Sequence, residues 1–163
     1  MELKKLMTAV TVQAVLMDEL LALLERETAE MGDVNVSAMA KTNQAKEELL
    51  GKIAECAPVM EQAISDMAVR EGFSSGTSFG VIAEHLAKKG IKELHAKQLQ
   101  LIRTGDSIQQ VAAMNREIAE RFAATIATSL NLITRLVNQS NVYGSSGGYQ
   151  QRPTGAVMIN REA

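Results

Sequence analysis

The chain has 163 residues, of which 46% are apolar and 3% aromatic, with a formal net charge of −2. This content suffices for one globular domain and excludes disorder throughout. The small negative charge argues against nucleic acid as the main partner, because a surface that binds phosphates needs an excess of Lys and Arg.

The first predicted helix covers about residues 3–31. Two lysines precede its apolar stretch, as in a signal peptide, but polar residues interrupt the stretch and the helical spacing continues to Met31, so targeting is the weaker interpretation. No apolar run approaches the roughly 18 residues of a membrane span. Gly32 is expected in a left-handed helix end and Asp33 as the next N-cap. The apolar seam is Leu3, Leu6, Val10, Met17, Leu20 and Leu24, widened by Val12, Leu16 and Leu23.

The second predicted helix covers about residues 34–71. Pro58 lacks a backbone donor, yet the apolar spacing continues through it, which predicts a kink rather than a break. Cys56, the single cysteine, excludes an intrachain disulfide, favours a reducing compartment and is expected to be a small buried apolar residue. The expected seam is Val36, Met39, Leu50, Ile53, Ala57, Met60, Ile64 and Met67, interrupted at Asn43 and Lys46.

A Gly- and Ser-rich loop, residues 72–80, precedes a short helix predicted at about 77–89 and a long one at about 91–140. Phe73 and Phe79 are expected to close one end of a helical bundle. Gly105 could interrupt the long helix, and continuity is favoured. Residues 1–72 carry seven Lys and Arg against thirteen Asp and Glu, a net charge of −6, whereas residues 73–140 carry eight against five, a net of +3, which favours packing of the two halves.

The end of the long helix carries more apolar surface than a bundle helix needs. At about 100° per residue its apolar side chains cover about 160°, whereas a core-facing stripe is somewhat over about 100° wide. A surplus of this kind predicts a surface for another polypeptide. We call it the apolar strip, and it consists of Phe122, Ile126, Leu130, Leu132, Ile133, Leu136 and Val137.

From residue 141 the helical period is lost. Residues 141–163 contain four of the eleven glycines and one of the two prolines, which predicts a flexible tail. The sequence therefore predicts an all-α fold: an elongated antiparallel helical bundle or coiled coil over residues 1–140, followed by a flexible C-terminal tail over 141–163.

Motifs for catalysis or metal binding are missing from the sequence. Neither His85 nor His95 belongs to the Glu-x-x-His pairs of di-iron bundles, and the sequence has no phosphate-binding glycine loop, no nucleophile elbow and no Cys/His zinc cluster. We expect no enzyme activity, metal or cofactor. The segment His85 to Gly90 is similar to the phosphorylated motif of His-phosphotransfer domains, but its glycine comes one residue late, so that function is a minor alternative.

Several short segments, taken in order, carry a resemblance to a known family. They are the LLALLERE of Leu20 to Glu27, the KEELL of Lys46 to Leu50, the Asn115-Arg116 pair, the Ser129-Leu130 step, and Tyr143-Gly144 followed by Gly147. In this order they resemble the FlgN family of flagellar type III export chaperones.

The resemblance implies a cytoplasmic chaperone that binds flagellar hook-associated proteins and delivers them to the membrane export gate. It implies that the apolar strip contacts these clients and that Tyr143 is a candidate contact for the gate. The implied role requires no binding of nucleic acid and no insertion into a membrane. The main alternative is a structural, self-associating coiled-coil bundle, a homodimer that buries the same strip.

Overall fold

The computed structural model describes residues 2–139, with side-chain exposure described for residues 2–137, and this part of the chain contains four helices joined by short connections. They are α1 (Glu2–Gly32), α2 (Val36–Arg70), α3 (Phe79–Lys88) and α4 (Lys92–Gln139). Their bounds differ from the predicted ones by one or two residues, and the described residues contain no strand. The all-α fold is confirmed. The predicted tail, 141–163, lies outside the described residues.

The chain divides into two compact units, Met1–Ala119 and Glu120–Ala163. The first unit holds α1, α2, α3 and the first part of α4, and the second begins within α4. The bundle predicted for residues 1–140 therefore includes the whole first unit and the first part of the second.

Within the first unit, α1 and α2 are antiparallel. Leu6, near the start of α1, shares a buried cluster with Met67, near the end of α2. At the other end of the pair, Lys46 Nζ lies 2.5 Å from Glu27 Oε1. By contrast, α4 runs parallel to α1. Leu94, near the start of α4, belongs to the same buried cluster as Leu6, and residues farther along α4 contact residues farther along α1.

The core of the first unit lies where α3 packs on the first part of α1 and the last part of α2. Phe73 and Phe79 pack against it, as predicted for side chains that close one end of the bundle. Aliphatic side chains and a thioether fill this core, consistent with the low aromatic content. The buried members are Leu6, Val10, Ala63, Met67, Ala68, Ile82, Ala83, Leu86 and Leu94.

The turn between α1 and α2 differs from the prediction. Gly32 is helical, and Val34 instead adopts the left-handed conformation, with φ of 53°. The backbone N–H of Asn35 donates to Glu30 O and that of Val34 to Met31 O, which is the Schellman pattern for a helix end. The N-cap of α2 is Asn35, whose side-chain oxygen accepts from the Ala38 N–H at 3.1 Å, so the assignment to Asp33 was wrong.

The buried face of α2 also differs from the predicted seam. Val36 and Leu50 are 72% and 50% exposed, whereas Thr42 and Leu49 are buried. A change of one residue along a helix rotates the position of the buried face by about 100°. A buried threonine is tolerated here because its hydroxyl donates to Glu30 Oε1 at 2.9 Å.

Two residues that can interrupt a helix leave their helices unbroken, as predicted. Pro58 lies inside the continuous α2 and Gly105 inside the continuous α4, while the kink expected at Pro58 stays a prediction. Gly105 faces α1, since a Cβ added there would lie 3.5 Å from Met17 Cε. A small residue at this position therefore lets α4 approach α1 closely.

Asn115 holds α4 to α1 through a buried polar cluster. Its side chain is 5% exposed, and its Nδ2 donates to Leu24 O at 2.8 Å and to Glu27 Oε2 at 3.0 Å. Its Oδ1 accepts from Thr28 Oγ1 at 2.6 Å. Because Lys46 contacts the other Glu27 oxygen, the cluster joins α1, α2 and α4. A polar side chain in an apolar seam fixes the register of neighbouring helices, because sliding would leave it unpaired.

Among the described helices, α1 is long and apolar enough to cross a membrane by length and composition alone, with mean hydropathy 1.6 in its most apolar window. A mostly buried core helix and an N-terminal signal sequence both meet the same criterion, and 17% of this window is buried. Leu6 and Val10 of α1 are fully buried in the core of the first unit. These contacts account for part of its apolar character.

Candidate partner-binding surface

The apolar strip lies on the last part of α4, in the second unit. The exposed fraction of its side chains runs from 36% for Phe122 to 59% for Ile126. Leu130, Leu132, Ile133, Leu136 and Val137 are all more than half exposed. The sequence-based expectation that the fold leaves this strip uncovered agrees with these exposures.

The strip contains a seam with the spacing of a coiled coil. Ile126, Leu130, Ile133 and Val137 follow one another at intervals of four, three and four residues, which are the intervals between the d and a positions of a heptad. Helices that associate through such a seam insert these side chains between those of the facing helix. The arrangement therefore suits a helical partner that lies along α4.

Two hydroxyl side chains fall within the strip, and both bond to the backbone of α4 itself. At about 100° per residue, Ser129 projects near the middle of the strip and Thr125 within its edge. Ser129 Oγ donates to Thr125 O at 2.9 Å, and Thr125 Oγ1 donates to Arg121 O at 3.0 Å. These hydroxyls keep their backbone acceptors when a binding partner displaces water from the strip. Burying the strip therefore costs less free energy than burying hydroxyls that have no acceptor.

Sequence analysis named Ser129 only in the Ser129-Leu130 step and did not name Thr125, because it built the strip from apolar residues alone. The available signal was chemical: Ser and Thr inside a helix can donate to the carbonyl four residues earlier. Thr128 and Thr134 make the same bond, to Ala124 O and Leu130 O, each at 2.9 Å. Four hydroxyls on this part of α4 thus donate to carbonyls of the same helix.

No charged side chain occurs in residues 122–134, and Arg121 and Arg135 flank this stretch. An uncharged stretch of this length removes the large desolvation cost that a buried ion would add.

His85, the candidate for phosphotransfer, lies in a different environment from an open acceptor site. Its Nε2 is buried 3.4 Å from Glu71 Oε2, and its ring packs edge-on against Phe73 with centroids 5.0 Å apart. A hydrogen bond from Lys89 lowers the pKa of Glu71 despite its partial burial, and the positive charges of Lys89 and Arg70 lower it further. An anionic phosphoryl group on Nε2 would be repelled by this carboxylate.

Within residues 2–139, no group of three His, Cys, Asp or Glu side chains is placed to hold a metal ion. His85 and Glu71 instead join α3 to the end of α2, where Lys89 Nζ lies 2.5 Å from Glu71 Oε2. The remaining predicted site residue, Tyr143, lies outside the described residues, and its role stays a prediction.

Comparison with known proteins gave one result. The model of the family described as FlgN protein matches residues 1–151. Neither the curated proteins nor the solved structures gave a significant match. Because the family match covers most of the chain and includes α1 to α4, this protein belongs to the FlgN family, a family of flagellar export chaperones.

Proposed function

We propose that this protein is a cytoplasmic chaperone that binds flagellar hook-associated proteins through its apolar strip and delivers them to the type III export gate. Family membership supports the general role of export chaperone. The observation that carries the site is the exposure of the strip, whose seven side chains are all at least 36% exposed.

The proposed contact is a helix of the client laid along the seam of Ile126, Leu130, Ile133 and Val137. Terminal segments that remain unfolded until assembly expose apolar side chains, and an amphipathic helix formed on the chaperone covers them. The same contact covers the strip. Chemistry on the client is not required, so the role needs neither cofactor nor metal.

Substitutions within the strip test this contact. Leu130→Asp and Ile133→Asp place a charge in the middle of the interface, and each should weaken client binding by at least about tenfold, the effect of losing an interface hot spot. Helicity should be unchanged, because both side chains are exposed in the free protein. Isothermal titration with purified hook-associated proteins measures affinity, and circular dichroism measures helicity.

Asn131→Asp is the matched control, since it adds the same charge to the same helix on the face opposite Ile133. It should bind clients like the unchanged protein. If Leu130→Asp and Ile133→Asp lost helicity and binding together, the strip would be core rather than interface. If the unchanged protein failed to bind any hook-associated protein, the proposed function would be wrong.

Light scattering of the isolated protein separates this proposal from the self-associating bundle. A monomer that gains mass only when client is added supports the chaperone. A stable dimer that Leu130→Asp dissociates would instead assign the strip to self-association.

We assign delivery to the tail, with Tyr143 as the candidate contact for the export gate. A chain ending at Asn141 retains the whole strip, so it should bind clients with unchanged affinity and reduce their export. Secretion of hook-associated proteins into the medium is the measurement. Unchanged secretion by the truncated chain would exclude a role for the tail in delivery.

A further inference from the structure

Most of the strip, together with the two hydroxyl residues within it, forms two seams that lie side by side on α4. At about 100° per residue, the centres of the two seams lie about 90° apart around the helix. Both seams have the intervals of four, three and four residues that are typical of a coiled coil. The first seam consists of Ile126, Leu130, Ile133 and Val137, and the second of Thr125, Ser129, Leu132 and Leu136.

The second seam continues the face by which α4 packs on α1 in the first unit. Thr104 Oγ1 donates to Asp18 Oδ1 at 3.0 Å, and Asn115 Nδ2 donates to Leu24 O at 2.8 Å. Leu94, three heptads before Asn115, belongs to the buried cluster that includes residues of α1, so the contact with α1 follows intervals of seven along α4. Intervals of seven from Thr104 and Asn115 lead to all four residues of the second seam.

The first seam continues the side of α4 that shares a groove with α2. Gln98 and Ile102 of α4 line this groove, of about 450 Å³, together with Met60 and Ile64 of α2. Intervals of seven from Gln98 and Ile102 lead to all four residues of the first seam. The two seams therefore repeat, farther along one continuous helix, the two lines that α1 and α2 adjoin in the first unit.

Both adjoining helices end where the first unit ends. Asn115 bonds to Glu27 of α1, and α1 ends at Gly32, five residues after Glu27. Because α1 and α4 are parallel, α1 ends near the level of Ala119, the last residue of the first unit. Only residues 33–35 join α1 to α2, so α2 begins at the same end. The strip begins three residues after the first unit ends.

We propose that the strip binds two helices of one client, one on each seam. The inference rests on the proposed function, which supplies the client. A single helix covers a stripe somewhat over about 100° wide, so it would leave part of the 160° strip exposed. Leu132 of the second seam is 58% exposed and Leu130 of the first is 54% exposed, so both seams have apolar surface for a helix to bury.

The first unit also indicates why both helices come from one chain. There the two lines of α4 adjoin a helical hairpin, α1 and α2, with a connection of three residues. Linked helices bind with a gain in effective concentration, because the first contact holds the second helix close to its seam. A second copy of this chain would bring one strip helix and would cover one seam only.

Single cysteines at the two edges of the strip test the number of helices. The native Cys56 is first replaced in Cys56→Ser, because it is half-buried and lines a groove with Val12, which is 42% exposed. The sequence assigned both side chains to packed faces, and both assignments were wrong. Three variants of this chain carry one cysteine each: Leu130→Cys, Leu132→Cys and, on the face opposite the strip, the control Asn131→Cys.

The experiment measures the rate at which a thiol reagent modifies each full-length variant, with and without purified hook-associated protein. Leu130 and Leu132 lie about 160° apart around α4, so one helix does not cover both. At a client concentration of about ten times Kd, modification of Leu130→Cys and of Leu132→Cys should each slow at least about fivefold. Asn131→Cys should react at an unchanged rate, and light scattering should give a complex with one client chain.

Protection of only one of the two edge positions would overturn the two-helix proposal and leave the proposed function intact. Protection of neither, with every hook-associated protein, would overturn both. A complex with two client chains would show that the helices do not come from one client. The proposal also fails if raising the concentration of the chaperone alone protects either edge, since a second copy would then lie on the strip. Circular dichroism checks that each variant keeps the helicity of the unchanged protein.

Discussion

The part of α4 in the first unit and the part in the second have similar apolar spacing, but their apolar faces differ in exposure. In the first unit, Leu94 is fully buried and Asn115 is 5% exposed, whereas in the second unit the strip is 36–59% exposed. The polar side chain of the first stretch bonds to α1, while the hydroxyls of the second bond to the backbone of α4 itself. Apolar spacing therefore identifies a face of a helix but does not show what covers it.

The sharpest test of this difference compares one leucine from each stretch. Leu94→Ala should lower the free energy of unfolding by about 2–5 kcal/mol, because it leaves a cavity in the core. Leu130→Ala removes an exposed side chain and should change it by less than about 0.5 kcal/mol. Urea denaturation followed by circular dichroism gives both values. Equal losses would mean that the strip is packed in the folded protein.

Asn115 gives the next largest effect. Asn115→Ala removes both donors to Leu24 O and Glu27 Oε2 and should destabilise the fold by about 1–3 kcal/mol, the cost of leaving buried polar groups unpaired. Asn43→Ala, at an exposed position of α2, is the control and should be nearly neutral. An unchanged denaturation midpoint for Asn115→Ala would show that the buried cluster does not hold α4.

The smallest expected effect concerns pH. The folded protein lowers the pKa of Glu71 below its ordinary value of about 4.3, chiefly through the Lys89 hydrogen bond. The ionised carboxylate therefore stabilises the fold above about pH 4.3, and this contribution disappears as the pH falls through the folded-state pKa. Residues 122–134 contain no ionisable side chain and add nothing to this dependence.

Glu71→Gln tests the pH effect, because glutamine keeps the size of the side chain and removes its titration. The free energy of unfolding of this variant should fall less steeply on acidification than that of the unchanged protein. Urea denaturation at several values between about pH 3 and 7 measures the slopes. Parallel curves would show that the contact with Lys89 adds no pH-dependent stability.

The helices and the strip were predictable because they follow from local chemistry. Apolar periodicity located the ends of all four helices to within one or two residues. It also selected the seven strip residues, which are 36–59% exposed in the structure. The continuity of α4 through Gly105 also followed from the spacing on either side of it.

What sequence reasoning missed depends on partners distant in the chain. Thr42 is buried only because Glu30 of α1 accepts its hydroxyl, and Asn115 fits an apolar seam only because Leu24 O and Glu27 lie opposite. One sequence without pairing information does not specify such contacts. The left-handed residue at the α1–α2 turn, Val34 rather than Gly32, is a separate, local difference, because its bonds depend on where α1 ends.

The intrahelical bonds of Thr125 and Ser129 bear on how the strip would distinguish one client from another. Because these hydroxyl hydrogens already bond to carbonyls of α4, the strip offers few directional hydrogen bonds to a client. Discrimination between clients would then come from the length and shape of the client's apolar face, and one chaperone could accept several clients of unrelated sequence.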